Sequence, residues 1–151
     1  MKEHLKKLFE YNFWANAMVL ESLRKTPKTE ERIRKIFGHI LVAEEIWMIR
    51  LQGQKWSGKE LFPNLTPQEC LELFEKSKTK YEAYLSALTD EGLSRVVSYT
   101  STEGIGYRSA VSEILFHVAI HGGYHRGQIA SETRDNGREP LKTDFVIFTR
   151  E

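Results

Sequence analysis

The chain has 151 residues, 40% of them hydrophobic and 28% charged, which is enough apolar material for one core and not comfortably enough for two. Its 22 Lys and Arg against 21 Asp and Glu leave a net charge of +1, so no global field would hold a polyanion or an acidic membrane surface. Nucleic-acid binding and membrane attachment are therefore not expected. A single cysteine, Cys70, excludes an intramolecular disulfide and a cysteine-zinc cluster, and suits a reducing compartment such as the cytoplasm. The basic start Met1-Lys2-Glu3-His4-Leu5-Lys6-Lys7 is not followed by the apolar run of a signal sequence, since Glu10, Asn12 and Asn16 interrupt the stretch from Phe9 to Leu20. Nothing approaches the roughly 18 uninterrupted apolar residues of a membrane span. The expectation is one domain over residues 1–151.

Apolar residues recur at helical spacing in four long stretches. In the first, Leu5, Leu8, Phe9, Phe13, Ala17, Leu20 and Leu23 mark an inward stripe from Lys2 to Lys25, closed by Pro27. Thr29, followed by Glu30 and Glu31, is the expected cap of a second helix whose stripe is Ile33, Ile36, Phe37, Ile40, Leu41 and Met48. Gly53 falls just past its end. The stretch from Gln54 to Leu65 contains Gly58, Pro63 and Asn64 and reads as a loop, with Trp56 and Phe62 pinning it to something apolar.

Thr66-Pro67-Gln68-Glu69 then supplies a hydroxyl cap, a proline at the first helical position and a glutamate at the third. A third helix follows to Leu88, with Leu71, Phe74, Tyr81, Leu85 and Leu88 inward. Between Gly92 and Arg108 the alternation around Val96 to Thr100, a turn-rich segment and Ile105-Gly106-Tyr107 read as a β-hairpin or extended excursion. The fourth helix is expected from Ser109, as its cap, to Gly137. In the tail, the aromatics of Asp144-Phe145-Val146-Ile147-Phe148 are expected to fold back. The fold class is all-α: a four-helix bundle with a short hairpin before the last helix.

The five histidines are unevenly spread. His117, His121 and His125 repeat every four residues on the fourth helix, His39 lies on the second, and His4 is near the N-terminus. At about 100° per residue, His121 and His125 share the stripe of Val111, Ile114 and Val118. Two imidazoles one turn apart on a core face cost several kcal/mol unless each finds a partner or both share a cation. One reading has each histidine hydrogen-bonded across the bundle. The other has an i,i+4 pair converging on one divalent metal ion. His117 and His121 are equally such a pair, and spacing does not choose between them. A third ligand must come from another helix, and His39, beside the Ile36 and Ile40 stripe, is the best candidate. Three imidazoles would leave positions open for water or substrate.

The remaining polar residues have plainer expectations. Arg126 reads as an inter-helix or subunit ion pair, with a substrate carboxylate as the alternative. Gln128, about 20° from His121, could support a histidine or a metal-bound water. Glu44, Glu45 and Glu113 read as solvated faces or bundle ion pairs. Trp14 and Trp47 read as core residues, and Cys70 as a small apolar one rather than a nucleophile. The hairpin could rim the histidines or cap the bundle end.

The run His121-Gly122-Gly123-Tyr124-His125-Arg126-Gly127-Gln128, with Gly38-His39-Ile40-Leu41-Val42-Ala43-Glu44-Glu45-Ile46-Trp47, Tyr11-Asn12-Phe13-Trp14-Ala15-Asn16 and the tail from Pro140 to Phe145, resembles the DinB family of metal-binding four-helix proteins. The resemblance spans nearly the whole chain. It implies a four-helix bundle, often a homodimer, with a divalent ion (nickel, zinc or iron) held by His39, His121 and His125, and it puts His117 outside the ligand set. Members of the wider superfamily resemble thiol transferases that use bacillithiol, mycothiol or glutathione. The implied activity is a metal-dependent thiol S-transferase or hydrolase acting on a small-molecule thiol and an electrophile. The alternative is a non-catalytic metal- or ligand-binding protein of a stress or damage-inducible response.

Overall fold

The computed structural model describes residues 1–26 and 28–150. Four long helices make the frame: α1 (Lys2–Lys25), α2 (Glu31–Leu51), α3 (Pro67–Ala87) and, after a short α4 (Asp90–Ser94) and a hairpin of β1 (Val96–Thr100) and β2 (Gly106–Ala110), α5 (Val111–Asp135). A single turn, α6 (Phe145–Phe148), ends the chain. Around the bundle the order is α1, α3, α2, α5, so α1 and α2 stand across one diagonal and α3 and α5 across the other. The pair α2 and α5 packs most extensively. The four-helix bundle with a hairpin before its last helix is thus the fold observed. No helix of the described residues is long and apolar enough to cross a membrane.

Local chemistry explains the helix ends. At α3, Thr66 Oγ1 accepts from the Glu69 amide at 3.2 Å and the Glu69 carboxylate accepts from the Thr66 amide at 2.7 Å. This reciprocal capping box stabilises the start by about 1 kcal/mol. At the end of α2 the Gly53 amide returns to the Arg50 carbonyl and the Gln54 amide to that of Ile49.

Two expected caps are corrected. Thr29 turns its hydroxyl back onto the Thr26 carbonyl at 2.7 Å, and α2 begins at Glu31. Ser109 belongs to β2, where its Oγ lies 3.2 Å from Tyr99 Oη; at the start of α5 the Ala110 amide donates to the Glu113 carboxylate at 3.0 Å, and the Val111 amide to the Arg95 carbonyl at 2.9 Å. The short α4, capped by Thr89 Oγ1 on the Gly92 amide, was not anticipated.

The core is built as the periodicity predicts, with Phe9, Phe37, Ile40, Leu41, Met48, Tyr81, Ile114 and Leu115 fully enclosed. The stripe of α1 is the exception. Ala17 is exposed, and Asn12 and Asn16 are buried with Leu5, Phe9 and Phe13. The tail folds back as expected: Phe145 and Phe148 pack on Tyr11, and Tyr11 Oη donates to the Thr143 carbonyl at 2.8 Å.

Candidate metal centre

Two buried asparagines need partners, and the bundle supplies them. Asn12 and Asn16 each donate Nδ2 to Glu44 Oε1 at 2.8 Å, while their Oδ1 atoms accept from Arg126 Nη1 at 2.9 and 2.7 Å. Ser77 Oγ donates to Glu44 Oε2 at 2.6 Å. A carboxylate and a guanidinium are thus joined through two amides in a polar tie that draws on all four long helices.

Glu44 is 2% exposed and Arg126 3%, so of the two expectations for Glu44 the solvated face is corrected and a charged link inside the bundle remains. Arg126 does link helices, but through the asparagine amides rather than by a direct ion pair. Burial pushes the Glu44 carboxyl above its ordinary range, and the bonds from Ser77 and Asn12, with the Arg126 charge and Asn16, pull it back. Gly122 makes room for the tie, because a Cβ there would stand 2.6 Å from Asn12 Oδ1 and 2.9 Å from Arg126 Nη1.

The tie fixes α2 against α5 beside the histidines. His39 lies five residues before Glu44, and His121 and His125 lie five and one before Arg126. The three rings meet: His121 Nε2 is 3.2 Å from His39 Nε2 and 3.1 Å from His125 Nε2. One ligand nitrogen from each lies within 4.8 Å of the others. Three nitrogens on one ion at 2.0–2.1 Å would be separated by roughly 2.9–3.4 Å, from right-angled to tetrahedral geometry.

The opposite nitrogens settle which way these rings face. His39 Nδ1 donates to the Leu61 carbonyl at 2.7 Å, and His125 Nδ1 to Gln128 Oε1 at 2.7 Å. Both acceptors are oxygens, so in the neutral imidazoles the Nε2 lone pairs of His39 and His125 both face His121. A proton on His121 Nε2 can satisfy only one of them, whereas a shared cation satisfies all three. Protonation is disfavoured too. Burial, then the neighbouring His125, His39 and His117, lowers His121 to about 3, and burial lowers His39. The donor set fits a divalent ion that accepts imidazole, and the oxygen atoms behind it are the orienting partners such ligands require.

Sequence reasoning did not identify the orienting partner of His39. The loop after α2 reaches it because Gly38 has no side chain, as a Cβ there would collide with the Pro63 carbonyl oxygen. Phe62 then stacks on the His39 ring, centroids 3.9 Å apart and planes within 6°. Phe62 was expected to pin the loop to an apolar surface, and it pins it to a candidate ligand. Gln128 supports His125 rather than His121.

His117 stays outside the cluster, with its ring edge-on to Trp47 at 5.0 Å, and His4 is exposed at the bundle's start. Cys70 is buried, its thiol pushed up to about 11 by burial, and it is not part of the cluster. Trp14 and Trp47, expected in the core, are half-buried, Trp14 against Phe148 and Trp47 against Tyr99.

Two clefts reach the histidines. An open cleft of about 360 Å³ is lined by His39 and His121 with Trp47, Arg50, Tyr99 and Tyr107, so the hairpin rims the site. An open groove of about 640 Å³ approaches from the other side, past Phe62, His125 and Gln128.

The DinB family matches residues 1–151. Protein DinB of Bacillus subtilis (strain 168) is 27% identical, with 98% of this chain and 95% of that protein covered. An uncharacterized protein of the same organism, YizA, is 25% identical over 93% of this chain and 92% of its own length.

Proposed function

The chain belongs to the DinB family, and from that premise we propose that it is a divalent-metal protein that activates a low-molecular-weight thiol for attack on an electrophile. The observation that carries the reading is the convergence of three Nε2 atoms, two of them from rings whose Nδ1 is committed to an oxygen. His39, His121 and His125 would hold the ion on one side and leave its remaining positions to the two clefts. When bound, such an ion lowers the pKa of a thiol it contacts and raises the thiolate fraction at neutral pH.

The chain's own residues do the rest. Leu61 and Gln128 keep His39 and His125 in the ligating tautomer. Phe62 shields one face of His39. Two approaches suit a reaction that joins two molecules, and the lone buried Cys70 leaves the thiol to arrive as a substrate in a reducing, cytoplasmic setting.

The test is incubation of the metal-loaded protein with a cellular thiol and a panel of aryl halides and epoxides. Conjugate formation that stops in His121→Ala is expected. Metal binding without turnover across all thiols would favour the non-catalytic reading, in which the ion stabilises or presents a ligand in a stress response.

A second feature supports a homodimer. Phe116, Ile120 and Tyr124 form an exposed apolar row on α5, Ile120 66% and Tyr124 65% accessible, with Gly123 and Gly127 alongside. Glu113 and Arg134 fall at opposite ends of the same face at helical spacing. In an antiparallel pairing with a second copy, centred between Gly123 and Tyr124, Ile120 meets the partner's Gly127 and Glu113 meets the partner's Arg134. The charges match only in that direction.

A further inference from the structure

Arg50 is a cation without a counter-ion. It lies in the last turn of α2, its guanidinium carbon 4.6 Å from the Trp47 ring centroid and 5.1 Å from that of Tyr99. Nη2 donates to the Thr100 carbonyl of β1 at 3.1 Å. That engages one of five N–H donors. Among the described residues no carboxylate pairs with it, and what distinguishes it is its place: two rings and a strand carbonyl hold it in the cleft that reaches the histidines. Ordering a long arginine ordinarily costs side-chain entropy on binding, and here the rings and the carbonyl already hold it.

The same guanidinium lines the open cleft that reaches His39 and His121, whose other walls include Ala43, Ile46 and Trp47. At about 360 Å³ the space suits a small molecule, apolar along its sides and positive at one end. Resting on the metal-centre reading for what lies at the far end, we propose that this cleft takes a small organic acid. Its carboxylate pairs with Arg50, its planar or apolar body lies along Trp47, and its remaining end reaches the histidines. A planar guanidinium matches a carboxylate with two parallel hydrogen bonds, and a single unpaired cation matches one negative charge. Discrimination between substrates would then arise at the hairpin end of the cleft, with the chemistry at the other.

Calorimetric titration of the zinc-loaded full chain with benzoate and with its neutral counterpart benzamide tests this. Benzoate is expected to bind at least about tenfold more tightly in the wild type, the preference disappearing in Arg50→Gln and persisting in His121→Ala. No preference in the wild type overturns the proposal. So does a preference that survives Arg50→Gln and is lost in His121→Ala, since the carboxylate would then be sitting on the metal. Zinc content, measured separately, reads the centre itself: a protein that holds no zinc yet shows the Arg50-dependent preference rejects the metal reading and keeps this one. Should Arg50→Gln fail to fold, nuclear magnetic resonance of the wild type decides. Benzoate must then perturb the Trp47 indole, and perturbation confined to other sites overturns the assignment.

Discussion

His125 Nδ1 and Gln128 Oε1 lie 2.7 Å apart, one turn along the same helix. Helical spacing alone delivers this contact, and it sets the tautomer of a ring that has no other means of choosing one. Gln128→Ala removes the acceptor and leaves the ring free to turn. Metal affinity is expected to weaken about 10–100-fold, as for other outer partners of ligating histidines, with little change in the unfolding midpoint of the metal-free protein. Competition with a chelator measures it, and unchanged affinity would take Gln128 out of the site.

The loop after α2 makes the equivalent contact to His39 and depends on a close approach. In Gly38→Ala the new methyl meets the Pro63 carbonyl, so the loop must move and Leu61 with it. Metal affinity should fall by a similar factor while α2 keeps its helicity, because alanine favours the helix. Hydrogen exchange across residues 54–65 should quicken. A variant with wild-type affinity and exchange would mean that the loop does not orient His39.

Glu44→Gln leaves the Arg126 charge buried without its counterpart and makes the Ser77 hydroxyl turn from donor to acceptor. A loss of about 3 kcal/mol in unfolding free energy is expected. Denaturant unfolding of the metal-free protein reads it. A loss below roughly 1 kcal/mol would show that the tie contributes little, the level of a surface pair.

Stability of the metal-free protein should depend on pH in a definite sense. His39 and His121 both lie below the ordinary 6.5, His121 at about 3, so between those values the folded chain binds fewer protons than the unfolded one. Their contribution is present above about pH 6.5 and is lost as the pH falls from there toward 3. Thermal midpoints in the presence of a chelator should drop between pH 7 and 5. In His121→Ala the drop should be smaller, and an equal drop would assign the effect to other groups.

Ile120→Glu places a carboxylate in the middle of the exposed row on α5. Sedimentation should report a dimer for the wild type and a monomer for this variant, with metal content unchanged. Reversing Glu113 and Arg134 together should preserve the dimer, whereas either reversal alone should weaken it. A wild type that sediments as a monomer at micromolar concentration would dispose of the interface.

Periodicity made the bundle legible because most inward positions are apolar, and the capping box at Thr66 was readable from four residues. The i,i+4 histidines pointed to the site for the same reason. What stayed hidden was whatever joins residues far apart in the chain. Nothing near Asn12 and Asn16 in the sequence marked them as buried; Arg126, more than a hundred positions on, and Glu44 supply their partners. Leu61 acts through its backbone carbonyl, which no side-chain pattern reports. The short α4 did leave a signal in Thr89-Asp90-Glu91, masked by the turn-rich segment that follows it.

The polar tie bears on how the protein would take up the proposed ion. Because α2 and α5 are locked together by Glu44, the two asparagines and Arg126, the three imidazoles assemble without help, unlike small zinc domains that fold only on loading. The chain is therefore a finished receptacle, to be emptied and refilled without unfolding. On the metal reading proposed above, which metal would occupy it follows from the supply around the folded molecule, and a shift in that supply would reach the protein within its lifetime rather than at its synthesis.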